Sequence, residues 1–164
     1  MKVYTSKGDG GFTTDFSGQR LLKDDIRILV NGKIDNLQSA LDMSIFLCKN
    51  DEDKKVLNEV QKKMWQVAGE VANCDKECLI WPVTDNDLLE LEKFIDSLGE
   101  PPKKFVRFEN EKAIWFNECR VRCRELETLI VKLLRDGTLR GDVFKYVNRL
   151  SSLFFMMGYK ASDD

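Results

Sequence analysis

Apolar residues recur along most of this chain at steps of three and four, the spacing of one face of an α-helix. From about Asp25 to Lys49 they are Ile26, Leu29, Val30, Ile34, Leu37, Leu41, Ile45 and Leu47; from Asp51 to Asn73 they are Val56, Val60, Met64, Val67 and Val71. The charged KNDED run between the two reads as a solvated turn, so two long antiparallel helices are expected. Cys74 to Val83 carries Pro82 and no period, and reads as a connection. Thr84, followed three residues later by Asp87, resembles a capping box, and opens a third helix from about Asp85 to Leu98 that Gly99 and the Pro101-Pro102 pair end. A fourth runs from about Glu109 to Arg135, closed by Asp136-Gly137. The last, about Asp142 to Tyr159, is apolar on one side through Val143, Tyr146, Val147, Leu150, Leu153, Phe154 and Met157. With no alternating strand pattern of useful length and no internal repeat, the expected fold is all-α, a five-helix up-and-down bundle forming one domain over residues 1–164.

The start of the chain breaks this pattern. Residues 5–18, TSKGDGGFTTDFSG, hold four glycines among Ser, Thr and Asp side chains that compete for backbone hydrogen bonds, so they read as a loop. One reading is an untethered terminus. The other is an anion cradle, in which glycines turn backbone N–H groups to one centre and Lys7, Arg20 and Lys23 add positive charge. The spacing is not Walker A, which ends in Gly-Lys-Ser/Thr.

Charge and cysteine usage narrow the classes. Lys and Arg number 26 against 28 Asp and Glu, a net charge of −2, which gives no global field for nucleic acid or an anionic membrane. No apolar run reaches the length of a membrane span and the opening residues carry no export or transit pattern, so a cytoplasmic protein is expected. Five cysteines without an export signal argue for reduced thiols. There is no histidine, which removes the usual general base and any Ser-His or Cys-His nucleophile. Chemistry carried out here needs little proton transfer or relies on carboxylates.

Within helix 4, NECRVRCRELETL sets Arg120, Arg124 and Glu127 at i, i+4 and i+7, on one helical face. They form either a solvated charged face or, beside Cys119, Cys123, Leu126 and Ile130, a guanidinium line on the flank of a buried helix, suited to clamp phosphate. Gly32 stands in the middle of helix 1, where glycine costs ~1 kcal/mol relative to alanine, and such a glycine implies close approach to the backbone. Asn148 and Arg149 interrupt an otherwise apolar helix 5.

Taken in order, these segments resemble the PduO-type ATP:cob(I)alamin adenosyltransferases across nearly the whole chain. YTSKGDGGFTTDFSGQRLLKDD is similar to the family's N-terminal nucleotide loop, GKID to its Gly-x-x-Asp, RVRCRELE to its Arg-x-x-Cys-Arg-Arg-x-Glu, and YVNRLSSLFF to its Tyr-x-Asn-Arg-Leu-Ser-Asp run. The resemblance implies a homotrimer with ATP and corrinoid bound where subunits meet. Thr5, Gly8, Asp9, Gly11, Thr13 and Lys23 would hold ATP, with Mg²⁺ arriving on the nucleotide, and Arg124, Glu127 and Asn148 would complete that site. Asp35 and Arg120 would pair across a subunit boundary beside the corrinoid, and Phe105, or Phe108 as a rival, would help remove the lower axial cobalt ligand. The implied partners are ATP and corrinoid, a flavoprotein reductase and cobalamin-dependent enzymes, with no nucleic acid and no membrane.

The chain also departs from that pattern. The second arginine of the Arg-Arg pair is Glu125, the usual lysine of the loop aligns with Ser6, a histidine of helix 4 aligns with Asn117, the terminal Asp of the last motif is Ser152, and FVRFENEK replaces a glycine-rich loop. A unit charge ~6 Å from the triphosphate at an effective dielectric of ~20 is worth ~3 kcal/mol, and a transition-state penalty of that size is roughly a hundredfold in rate. The implied function is therefore transfer of the 5′-deoxyadenosyl group of ATP to cobalt(I), with release of triphosphate. The alternative is a non-catalytic relative that binds ATP or corrinoid as carrier, sensor or docking module.

Overall fold

The computed structural model describes residues 3–74 and 79–162. Its helices are α1 (Ile26–Leu47), α2 (Asp51–Val71), α3 (Asp85–Ser97), α4 (Glu111–Arg135) and α5 (Gly141–Ala161), each within a few residues of the periodic segments. Side-chain caps explain where the first four begin: Asp25 accepts from Arg27 N, Asn50 from Glu52 N and Asp53 N, and Asn110 from Ala113 N. Thr84 and Asp87 form the expected reciprocal capping box at the start of α3.

Successive helices alternate in direction. Lys33 meets Glu125 and Ser44 meets Cys119, so α1 and α4 run antiparallel, and Cys123 bonding Val147 O while Phe116 meets Gly158 sets α4 against α5 likewise. The core is the meeting of the apolar stripes, with Ile34, Leu37, Leu41, Leu57, Met64, Phe116, Leu126, Ile130, Leu150 and Phe154 fully buried. α4 is its central element, packed on both α1 and α5.

Two findings differ from the sequence reading. The glycine-rich segment and the residues after it form a small antiparallel ribbon, β1 (Phe12–Thr14) with β2 (Arg20–Leu22), in which Thr13 pairs with Leu21. Three pairs are too few to give an alternating pattern, and so short a ribbon needs support from the bundle. Reduced thiols occur at Cys48, Cys119 and Cys123, all buried, but Cys74, in the irregular stretch after α2, is disulfide-bonded. Cys78 lies outside the described residues. Burial pushes the Cys119 thiol up to about 12 and raises Cys123 as well, so both are inert packing groups.

Candidate functional site

The two edges of α4 carry different charge arrangements. Toward α5 the edge presents Arg120, Arg124 and Glu127, and Asn148 of α5 donates its amide to the Glu127 carboxylate. Burial pushes the Glu127 carboxyl above its ordinary value, although the Asn148 bond and the Arg124 charge pull the other way. Arg120, half-buried, donates from Nε to Asn117 Oδ1 at 2.9 Å. Arg120 and Arg124 together form a ridge between two depressions. One, of about 450 Å³, has an apolar floor of Ile95, Phe155 and Met156 with the hydroxyls of Ser151 and Ser152. The other, of about 560 Å³, lies over Glu127, Thr128, Val131 and Phe144.

Toward α1 the edge carries Glu125. One residue is about 100° of helix rotation, and that rotation swings Glu125 away from Arg124 to Lys33, whose Nζ lies 2.6 Å from Glu125 Oε2. The Lys33 hydrogen bond and charge hold the Glu125 carboxyl below the usual carboxylate range. The changed sign at this position is therefore balanced from α1, although Glu125 still borders the second depression.

The loop is built around Lys23. Its Nζ lies 2.9 Å from where a Cβ on Gly8 would stand, so the ammonium packs over the bare backbone of residue 8. Lys23 N donates to Gly11 O at 2.9 Å, and Gly11 takes a φ of 80° that disfavours residues with a side chain. Gly8, Gly11 and Lys23 are thus brought together, with Thr5 and Asp9 exposed beside them and Thr13 in β1. Arg20 stacks over Phe12, its guanidinium carbon 4.1 Å from the ring centre.

Asp15 did not stand out in the sequence, yet it ties this loop to the bundle. Its Oδ1 accepts from Ser17 Oγ and Gln19 N, and its Oδ2 from Arg27 and Asn73. The Ser17 hydroxyl bond, with those from Asn73 and Gln19, outweighs the effect of burial and holds the carboxyl below its ordinary range. Phe16 N adds a bond to Ala72 O at 3.2 Å. These bonds run to α1 and the end of α2, whereas Arg124, Glu127 and Asn148 stand on the α4–α5 side.

The two aromatic candidates separate clearly. Phe108 packs edge-on to Phe155, ring centres 6.2 Å apart, and against Gly158. Phe105 is 99% exposed in the connection between α3 and α4. Asp35 is exposed on the outer face of α1 and does not meet Arg120 of its own chain, which is turned to Asn117. Along that face Leu29, Gly32, Asn36, Ser39, Met43 and Phe46 follow at steps of three and four, and Leu29 and Phe46 are exposed. Nothing among the described residues comes within 4 Å of a Cβ on Gly32, so the close approach expected there is not made by the rest of this chain. Likewise, among the described residues no cluster of three His, Cys, Asp or Glu is arranged to hold a metal ion.

The sequence matches the cobalamin adenosyltransferase family over residues 3–161. It is 32% identical over 162 residues to a corrinoid adenosyltransferase of Citrobacter freundii, spanning 95% of this chain and 92% of that protein. To the corrinoid adenosyltransferase MMAB of Homo sapiens it is 31% identical, spanning 98% of this chain and 69% of the human protein. Its fold is similar to that of a variant PduO-type ATP:corrinoid adenosyltransferase from Lactobacillus reuteri solved with cobalamin and ATP, with a TM-score of 0.85, 27% identity, and 99% and 94% of the two chains covered.

Proposed function

The chain belongs to the cobalamin adenosyltransferase family, and from that premise we propose how its residues share the work of a site formed between copies of the chain. It is an ATP:corrinoid adenosyltransferase, which transfers the 5′-deoxyadenosyl group of ATP to cobalt(I) of cobalamin and releases triphosphate. The cobalt electron pair forms the bond to the 5′-carbon as the carbon–oxygen bond to triphosphate breaks. No proton need move, which suits a chain without histidine. The protein's task is to align two reactants and stabilise the leaving charge.

The observation that carries the proposed site is that the loop is bonded to α1 and the end of α2, whereas Arg124, Glu127 and Asn148 share the α4–α5 edge. The loop half is Thr5, Gly8, Asp9, Gly11, Thr13 and Lys23, and the bundle half is Arg124, Glu127 and Asn148. In a homotrimer the loop of one copy covers the α4–α5 edge of the next, and Lys23 and Arg124 clamp the triphosphate from opposite sides. Glu127, oriented by Asn148, faces the nucleoside end. Mg²⁺ bound to the triphosphate would offset part of its charge, leaving Lys23 and Arg124 to meet the remainder. The corrinoid sits over the apolar floor at Ile95, Phe155 and Met156, beside Arg120. Phe105, fully exposed on a free connection, is the aromatic able to swing over the cobalt face, while Phe108 is committed to packing. Support for the trimer comes from the outer face of α1, where Asp35 and the Leu29-to-Phe46 stripe lie open and Gly32 leaves room for another backbone.

We further propose that the enzyme works in the cytoplasm, takes electrons from a flavoprotein reductase and delivers product to cobalamin-dependent enzymes. Among the described residues no helix is long and apolar enough to cross a membrane. Mixing two inactive variants tests the shared site. Lys23→Ala and Arg124→Ala, unfolded and reassembled together, leave about one interface in four with both halves intact. Recovery of activity supports the arrangement, and none from a verified mixed trimer contradicts it.

A further inference from the structure

We infer that Asp15 is a positioning residue for ATP, fixing the far end of the nucleotide loop so that Gly8, Gly11 and Lys23 are preordered at the near end. This rests on the proposed nucleotide role of the loop. The ribbon has only three residue pairs and would not hold its shape alone. At its turn the chain closes by Asp15 N to Gln19 O at 3.0 Å and Gly18 N to Asp15 O at 3.1 Å, with Gly18 at a φ of 84°. The Asp15 carboxylate is 1% exposed and accepts at both oxygens. Ser17 Oγ at 2.7 Å and Gln19 N at 2.9 Å shape the turn itself. Arg27 Nη1 at 3.3 Å and Asn73 Nδ2 at 2.9 Å attach it to α1 and to the residue just beyond α2.

The arrangement is selective for a carboxylate. All four partners donate, so an amide at position 15 turns one of its ends against them. Asn73 holds a φ of 55°, a conformation Asn and Asp tolerate better than most residues, which lets its amide face the loop. Asp15 touches neither Gly8 nor Lys23; it acts through the two strands, whose register runs from Thr14–Arg20 near the turn to Phe12–Leu22, next to Lys23. Releasing the turn shifts the ordering of the loop onto the binding step, which weakens ATP binding without altering the groups that meet ATP.

The test is calorimetric ATP affinity and steady-state kinetics on the full chain, for wild type, Asp15→Ala, Asp15→Asn, Asn73→Asp and the double variant Asp15→Asn/Asn73→Asp. Asp15→Ala is expected to weaken ATP binding and raise its KM by about tenfold, with kcat at saturating ATP and KM for cobalamin within about twofold of wild type. Each Asn or Asp single change is expected to weaken ATP, and the double variant to regain affinity, because the position 15 amide then donates to the new carboxylate. Unchanged ATP affinity in Asp15→Ala, or KM rising equally for both substrates, overturns the inference. A wild-type chain that fails to bind ATP instead refutes the functional reading beneath it.

Discussion

Lys23 lies directly over Gly8: its ammonium nitrogen is 2.9 Å and its Cε 3.1 Å from the place a Cβ on residue 8 would occupy. A cation is thus set over the backbone of a glycine-rich loop, a combination that suits a phosphate. Gly8→Ala displaces this flexible side chain without touching the core. Thermal stability is expected to change by no more than about 0.5 kcal/mol, while KM for ATP rises about tenfold, the scale of one charge-assisted hydrogen bond. Equal KM values in Gly8→Ala and wild type would dissociate Lys23 from the nucleotide.

Lys33 and Glu125 make a second testable pair. Because Lys33 neutralises Glu125 from α1 at 2.6 Å, restoring a cation with Glu125→Arg places two positive charges together. That variant is expected to gain no activity. Exchange of the charges, Lys33→Glu with Glu125→Lys, is expected to keep kcat within about threefold, as exposed pairs contribute little to stability. A large rise in rate for Glu125→Arg would instead mean that the acid opposes the triphosphate.

How much of this was legible before the structure follows from range along the chain. Helix bounds and the Thr84–Asp87 capping box depend on neighbours a few residues apart, so periodicity and capping residues suffice. Arg120, Arg124 and Glu127 share an edge of α4 for the same reason. The Lys33–Glu125 bridge joins residues 92 apart and the Asp15–Asn73 bond residues 58 apart, and no local pattern encodes either. Asp15 looked like one more loop polar residue because its partners come from α1 and from the end of α2. That Phe108 packs on Phe155 while Phe105 stays exposed was likewise beyond any local pattern.

Glu127 predicts an opposition between stability and activity. Burial raises its carboxyl pKa in the folded chain, so the folded state holds its proton more tightly than the unfolded one. The penalty is absent at pH below the ordinary carboxylate value and develops as pH rises through the raised folded value. Glu127→Gln is therefore expected to raise the melting temperature at pH 7 and to change it less near pH 4, while ATP use falls. Melting curves at the two pH values, set beside activity, check both parts; a variant less stable at pH 7 than wild type contradicts the sign.

Asp35 and Arg120 predict an assembly effect. Neither is paired with the other within one chain, and Asp35 is open on the face proposed for the neighbouring copy. Asp35→Asn is expected to raise KM for cobalamin or weaken the proposed trimer while KM for ATP stays within about twofold. Sedimentation velocity and paired KM measurements read these out, and an ATP-only defect would move Asp35 to the nucleotide side.

Arg124 and its neighbours on the α4 edge are proposed to drive adenosyl transfer to cobalt(I). The direct measurement is an anaerobic assay with ATP, Mg²⁺ and chemically reduced cob(I)alamin, following formation of the light-sensitive cobalt–carbon bond by absorbance in wild type and Arg124→Ala. Turnover by wild type with a fall of about a hundredfold or more in Arg124→Ala is the predicted result, the scale of losing one preorganised charge at a leaving group. Equal turnover in the two proteins would contradict the site, and no turnover by a wild type that binds both substrates would leave a binding protein on this fold.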